Sequence, residues 1–161
     1  MCRDSTVIAF GVCLMAACAF GYFQEARAQP ANCLGSPADP RIAATYLDNF
    51  AGWHSVGKKA WLQATGGSQL IFHLCSVNDG RRYLIAKNDD GNDFNPGKYS
   101  RFEWYGKGGL LFYCQQVFDA ASAAEAEDFA RTPAADPSDA NDKGCGASGQ
   151  FPWSELILLR R

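Results

Sequence analysis

The chain has 161 residues, of which 20% are charged, and its 15 Lys and Arg residues nearly balance its 17 Asp and Glu residues. That length suits a single domain with one core. No basic cluster is longer than Lys58-Lys59 or Arg81-Arg82, which argues against a nucleic-acid partner. No cofactor is predicted, because no cofactor-binding motif is present.

The first 28 residues have the pattern of a cleavable signal peptide. Arg3 precedes an apolar run over residues 7–23, which is shorter than the roughly 20 residues that a membrane span needs. Ala26-Arg27-Ala28 then supplies the small-x-small pattern that signal peptidase recognises. Cleavage after Ala28 predicts export to the periplasm or the medium. The alternative is a lipid anchor, since Met15-Ala16-Ala17-Cys18 is similar to a lipobox, although Met is unusual there and apolar sequence continues past Cys18.

Cleavage after residue 28 would remove three of the seven cysteines. An even set remains, and in a short exported chain it implies two disulfides with three possible connectivities. A zinc site is not indicated, because no two of these cysteines have metal-ligand spacing. The four cysteines are Cys33, Cys75, Cys114 and Cys145.

Residues 29–40 form a flexible lead-in rich in Pro, Gly and Ser, and residues 41–161 form a single disulfide-stapled β domain. Within this domain apolar residues alternate or form short runs between turn signals, which predicts strands. The segment around Trp61 has a less clear pattern. The predicted strands cover residues 41–50, 53–56, 70–77, 83–87, 99–105, 110–118 and 153–159.

One helix is predicted late in the chain, from the capping box Ser122-x-x-Glu125 to Arg131. The short turns and the late strand predict an all-β fold, a small lipocalin-like antiparallel barrel whose last strand pairs with the first. An open β-sandwich is the alternative. In the barrel Cys114 could reach Cys145, a closure worth roughly 3 to 4 kcal/mol, which would leave Cys33 to pair with Cys75.

Several short motifs of the domain occur together in a known family. They are residues 86–89 (AKND), 94–104 (FNPGKYSRFEW), 113–115 (YCQ), 144–146 (GCG) and 151–153 (FPW). In these motifs the chain resembles a family of uncharacterised secreted bacterial proteins and lipoproteins, from about Ala44 to Leu156. The resemblance implies export, a small β domain and the Cys114–Cys145 pair, and it implies no activity. The chain departs from it at the inserted residues 147–150 and at Glu103, where Asp is usual.

Two acidic segments are weak calcium candidates. The loop that contains Asp89, Asp90 and Asp93 is rich in the oxygen ligands that Ca²⁺ prefers. It lacks the regular carboxylate spacing of an EF-hand, and Asp, Asn and Gly are also ordinary turn residues. The second segment contains Asp136, Asp139 and Asp142. No metal site is predicted from either.

Strand alternation places Arg101 and Glu103 on the face opposite Phe102 and Trp104. The favoured interpretation is a solvated surface pair, because charges are seldom buried. If the barrel were inverted here, the two charges would line an interior ligand site.

Two histidines offer weak catalytic alternatives. His54 could pair with Asp48 and activate a serine such as Ser55, but no nucleophile-elbow motif is present. His73 shares a strand face with Cys75, which would have to be a free thiol to act as a nucleophile. Catalytic residues are therefore not predicted, and an enzyme is the less favoured interpretation.

The aromatic residues, 13% of the chain, either fill the core or bind a ligand. Core positions are expected for Phe102, Trp104, Phe112 and Trp153, whereas Trp53 and Trp61 are the better surface candidates.

The sequence as a whole favours an exported non-enzymatic binding module. Small barrels commonly hold ligands at the mouth, so a small apolar molecule, a glycan or another exported protein is expected as the partner, the last with the module as its inhibitor. The alternative is a small hydrolase that uses His54.

The processing and the disulfides can be tested together by the intact mass of the exported protein. We expect a mass that begins at Gln29 and increases by four hydrogens on reduction. An acylated mass that begins at Cys18 would contradict the prediction.

Overall fold

A computed structural model describes Cys33 and residues 39–161. The predicted signal peptide, the lipobox at Cys18 and most of the lead-in lie outside the described residues.

Eight antiparallel strands follow one another around a closed barrel, each paired with its neighbours in the chain. The last strand pairs with the first, with Leu47 opposite Ile157, so the barrel prediction is confirmed and the sandwich alternative is wrong. The strands are β1 (Ala44–Asp48), β2 (Trp53–Val56), β3 (Ala60–Thr65), β4 (Ser68–Asn78), β5 (Tyr83–Asn88), β6 (Tyr99–Lys107), β7 (Leu110–Ala120) and β8 (Ser154–Arg160).

The strand that the sequence did not predict is β3, the segment around Trp61 with the less clear pattern. Its inward side chains are Trp61 and Gln63, and only the first is apolar, so alternation is weak in the sequence. Trp61 is fully buried in the barrel. The expectation that Trp61 lies at the surface is therefore wrong, because the whole indole faces the interior.

Side chains fill the interior of the barrel. Trp61 packs against Phe102 and Tyr113, with ring centroids 4.7 and 5.2 Å apart. Pro40 and Ile42 are buried, and the Ile42 carbonyl accepts a hydrogen bond from the Tyr46 hydroxyl. The barrel has no lipocalin-type calyx at its centre as a result. The buried members of this cluster are Ile42, Tyr46, Val56, Trp61, Phe72, Leu74, Leu84, Ala86, Phe102, Trp104, Tyr113 and Leu156.

Residues 121–147 cover part of the outer wall and create two further apolar clusters. One lies beneath the helix α1 (Ala123–Ala126) and includes Cys33. The other includes Phe112 and Trp153, so the expected burial of those two rings, and of Phe102 and Trp104, is confirmed. Within the covering segment, the backbone at Gly144 lies so close to the backbone at Asp136 that a Cβ on residue 144 would stand 1.8 Å from the Asp136 carbonyl oxygen.

The two disulfides tie these layers together. Cys33 is bonded to Cys75 on β4, and Cys114 on β7 is bonded to Cys145 in the covering segment. This is the connectivity that the barrel topology predicted.

The helix is shorter than predicted. Ser122 caps it as expected, accepting a hydrogen bond from the Glu125 amide, but α1 ends at Ala126 and does not reach Arg131. The reason is a tertiary contact, since the Ala126 carbonyl accepts a hydrogen bond from the Arg101 guanidinium and the chain turns there. None of the helices in the described part of the chain is long and apolar enough to cross a membrane.

Arg101 and Glu103 are neither solvated nor inside the barrel, so both interpretations of this pair are wrong. They project from the outer face of β6 and are buried beneath the covering segment. The Arg101 Nε lies 2.9 Å from Glu103 Oε1. The Arg101 Nη2 donates to the carbonyls of Thr132 and Pro133. Burial lowers the pKa of Arg101 and raises the pKa of Glu103, while their ion pair opposes both shifts. The guanidinium thus holds the covering segment on the barrel.

Replacement of Arg101 by Met should lower the free energy of unfolding by about 3 kcal/mol, because it leaves Glu103 buried without its partner. The double variant Arg101→Met/Glu103→Gln should lose less. Urea titration followed by tryptophan fluorescence measures both.

Arg81 provides the matched control, since its guanidinium also lies over Phe129, 4.1 Å from the ring centroid, but its side chain is exposed. Arg81→Met should cost less than about 1 kcal/mol. Equal losses for the two single variants would show that Arg101 has no clamping role.

Candidate functional site

A pocket of about 340 Å³ opens at one end of the barrel, where the β3–β4 turn, the β5–β6 loop and the end of β7 meet. We call it the mouth pocket. Phe94 and Phe118 are its exposed aromatic residues. Its lining residues are Leu70, Phe72, Asn88, Phe94, Asn95, Gln115 and Phe118.

The buried Asn88 side chain fixes both rims of the mouth pocket. Its Nδ2 donates to the carbonyl of Asn95, 2.8 Å away, and to the carbonyl of Phe118, 3.1 Å away. Its Oδ1 accepts from the Ser100 hydroxyl at 2.6 Å, and that hydroxyl accepts from Gln115 Nε2 at 3.0 Å. One buried amide therefore joins the β5–β6 loop to the end of β7 across the pocket.

The loop that carries Phe94 is held on both flanks. Asn92 exchanges two hydrogen bonds with the backbone of Ile71, and Asp93 accepts from the Ser68 hydroxyl at 2.7 Å. Phe94 nevertheless has 67% of its surface exposed. Because its neighbours are pinned, the ring is held out in solvent by the fold.

The carboxylates that suggested a calcium site are engaged in contacts within the protein. Asp89 lies 2.6 Å from the His73 ring and accepts from the Gly91 amide, and these hydrogen bonds lower the pKa of Asp89. Asp90 lies 3.5 Å from the Lys87 ammonium. In the described residues no group of three His, Cys, Asp or Glu side chains converges on a metal position.

The second acidic segment is organised in a similar way. The Asp136 side chain accepts from the Ser138 amide, which lowers the pKa of Asp136. Asp139 lies 3.5 Å from Lys143, and Asp142 is exposed.

The predicted pairing of His54 with Asp48 is present. His54 Nε2 lies 2.9 Å from Asp48 Oδ2, and both residues are buried at the β1–β2 end of the interior. Asp48 also accepts from the amides of Phe50 and Gly52. Gly52 is required there, because a Cβ would stand 2.7 Å from the carboxylate.

The geometry does not provide a general base. Trp61 Nε1 lies 3.2 Å from His54 Nδ1, and since an indole nitrogen can only donate, Nδ1 must accept and Nε2 must carry the proton given to Asp48. Both nitrogens are thus occupied. Ser55, the serine of the alternative hydrolase interpretation, alternates to the outer face of β2, so it does not form a triad with His54 and Asp48.

Other sequence candidates separate in space. Cys75 is in a disulfide and is not a nucleophile beside His73. Trp53 lies on the outer wall with 38% of its surface exposed, as expected. The pairs Trp53 with Trp61 and Arg101 with Glu103 do not form one site.

A larger groove, of about 570 Å³, lies on the outer wall. Tyr105 and Phe112 stack at its base with ring centroids 5.0 Å apart, but Phe112 is buried. Its rim includes Lys107, Asp139 and Glu155, so this groove, unlike the mouth pocket, is lined by charged side chains.

The sequence drew attention to the loop from Asn88 to Asn95 as a calcium candidate and did not indicate an apolar pocket there. Asn88 ends a strand and Phe94 lies in a turn-rich loop, which resembles ordinary loop chemistry. The available signal was an apolar ring between Asp93 and Asn95, where a solvated loop would carry a polar side chain.

Comparisons with protein-family models, with curated proteins and with solved structures found no match for this chain. The family resemblance therefore stays a prediction.

The buried His54 should make the protein less stable in weak acid. Burial lowers the pKa of His54, and its hydrogen bond to Asp48 opposes the shift without cancelling it. Below about pH 6.5 the unfolded chain takes up a proton that the folded chain resists. The free energy of unfolding should then fall as pH decreases, by at most about 1.4 kcal/mol per pH unit.

In His54→Gln this dependence should be much smaller between pH 7 and 5, because Gln can donate to Asp48 and accept from Trp61 without titrating. Urea titrations across this range measure it. His73→Gln, at a more exposed histidine, should keep the dependence of the unsubstituted protein. The same slope in His54→Gln would contradict the assignment.

Proposed function

We propose that this protein is an exported binding module that takes up a small, largely apolar molecule at the mouth pocket. The observation that carries the proposal is the Asn88 clamp, which holds two exposed phenylalanines on either side of a preformed pocket. Two disulfides in the described part of the chain support export, because such bonds persist in oxidising compartments.

The size of the pocket defines the size of the ligand. A volume of about 340 Å³ lies at the lower end of the range for small-molecule sites. The filled interior stops the ligand at the mouth, because Phe72 forms the floor and is buried in the core. A molecule with one or two rings fits this space, and a long chain that must thread the barrel does not.

The lining determines the chemistry of the ligand. Phe94, Phe118 and Leu70 supply apolar contact, and exposed aromatic rings favour flat apolar partners. Gln115 supplies a polar group at the wall. No charged side chain lines the pocket, so an uncharged body with one hydrogen-bonding group is the best match.

The rival functions have weaker support. A hydrolase that uses His54 lacks a free nitrogen on the imidazole and a nucleophile beside it among the described residues. A glycan would find its polar partners in the outer groove around Lys107 and Glu155, which makes that groove an informative region to monitor.

The proposal is tested with 2-naphthol, an uncharged two-ring molecule with one hydroxyl group, as the probe, by calorimetry and by amide chemical shifts. We expect saturable binding with a stoichiometry of one and shifts centred on Asn95 and Phe118. Phe94→Ser should weaken binding about tenfold, since the lost ring contact is worth roughly 1 to 2 kcal/mol.

Phe151→Ser is the matched control, because Phe151 is also largely exposed, at 59%, but lies outside the mouth pocket. It should leave the affinity unchanged. Equal weakening in the two variants, absence of saturable binding, or shifts centred on Tyr105 and Phe112 would each overturn the proposal.

A further inference from the structure

In the described part of the chain, no segment covers one side of the outer wall, and its margin at Leu110 borders the covering segment. There β2, β1, β8 and β7 present large apolar side chains that are 38% to 59% exposed. We call this surface the bare face. Its residues are Leu47, Phe50, Trp53, Leu110, Ile157 and Leu159.

The register makes the bare face continuous. Leu47 lies directly opposite Trp53 on one side and opposite Ile157 on the other. Ile157 and Leu110 then line one groove at the β7–β8 junction. A single row of apolar side chains thus crosses four neighbouring strands, where alternation would ordinarily place polar residues.

This surface is large for a monomer. Six large apolar side chains, each about half exposed, amount to roughly 500 Å², which lies at the upper end of the apolar patches found on monomeric proteins. Patches of that size commonly mark an interface. Because β8 pairs with β1, this side of the sheet has no free edge, so a partner must be held by side chains.

The two ends of the bare face differ in chemistry. Phe50 lies in the β1–β2 turn and forms the aromatic end, whereas Trp53 lies in the central row opposite Leu47. Arg160 lies two residues along the strands in the other direction, opposite Thr45, and Arg161 follows it. No ion pair involves either arginine in the described part of the chain, although their guanidinium groups favour aromatic faces.

We propose that a second copy of this chain covers the bare face in a two-fold symmetric dimer. A two-fold axis running across the strands at Leu47 sets the partner's strands antiparallel. The arginine end of each copy then lies over the aromatic end of the other, twice in one interface, as an isologous contact requires. The apolar rows of the two copies contact each other at the centre of the interface.

The same cation–π chemistry already operates within the chain. The guanidinium groups of Arg81 and Arg101 lie 4.1 and 4.0 Å from the centroid of the Phe129 ring. The mouth pocket is lined by residues outside the bare face, so the dimer and the proposed ligand site are independent of each other.

The test is sedimentation equilibrium of the secreted chain, with disulfides formed, from about 1 to 200 µM. We expect the mass of a dimer at the upper end of this range. Ile157→Asp should yield a monomer throughout, with an unchanged circular dichroism spectrum as evidence of folding. Phe151→Asp, an exposed phenylalanine outside the bare face, should remain dimeric.

A charge exchange tests the arrangement of the two copies. Arg160→Glu should raise the dissociation constant at least tenfold, and adding Phe50→Arg to it should restore association, because the new charges face each other across the two-fold axis. If the unsubstituted protein is a monomer at 200 µM, the dimer proposal is overturned, even if a membrane or another protein binds to the bare face. A dimer insensitive to Ile157→Asp does the same.

Discussion

The pairing of β8 with β1 is the contact on which the rest of the structure depends. An open sheet of this length would expose two edges and one apolar face, and each would have to be covered by another element. Closure removes both edges in one step and turns the inward face into a core. In this eight-stranded barrel large side chains fill that core, among them Trp61, Phe102 and Tyr113.

A filled barrel leaves its remaining apolar side chains at the surface. The core cluster occupies the centre, and the large exposed apolar groups of the described residues lie at the mouth and on the outer wall. The covering segment divides the outer wall further. One side is buried under residues 121–147 and stabilised by the Cys114–Cys145 disulfide, and the other carries Leu47 and Ile157 in the open.

Buried polar side chains have one role in three different places. Arg101 holds the carbonyls of Ala126, Thr132 and Pro133, Asp48 holds the amides of a turn, and Asn88 holds two carbonyls at the mouth. Each satisfies backbone groups in turns, in loops or at the ends of regular elements. Such groups are costly to bury unpaired, which explains why polar residues are retained beneath apolar surroundings.

Seven of the eight strands and the closure of the barrel could be predicted, because alternation and turn residues are local signals that tertiary contacts did not override. β2 (Trp53–Val56) has the predicted bounds. β3 was missed because its alternation is weak, and the other failures have a common cause in long-range contacts. Arg101 was assigned to solvent because its burial depends on a segment 25 residues later, and the helix was extended past Ala126 because the carbonyl that ends it binds that same arginine.

In the candidate site too, the local contacts could be predicted from the sequence and the long-range contacts could not. The Asp48–His54 pair could be proposed from sequence because the two residues flank one tight turn. What the pair does depends on Trp61, whose position opposite Val56 and inward orientation come from the barrel register. The indole N–H donates to the Nδ1 atom of the imidazole, so the residue that fills the core also fixes the tautomer of the histidine. Packing of the interior and the hydrogen bonding of His54 are thus set by the same side chain.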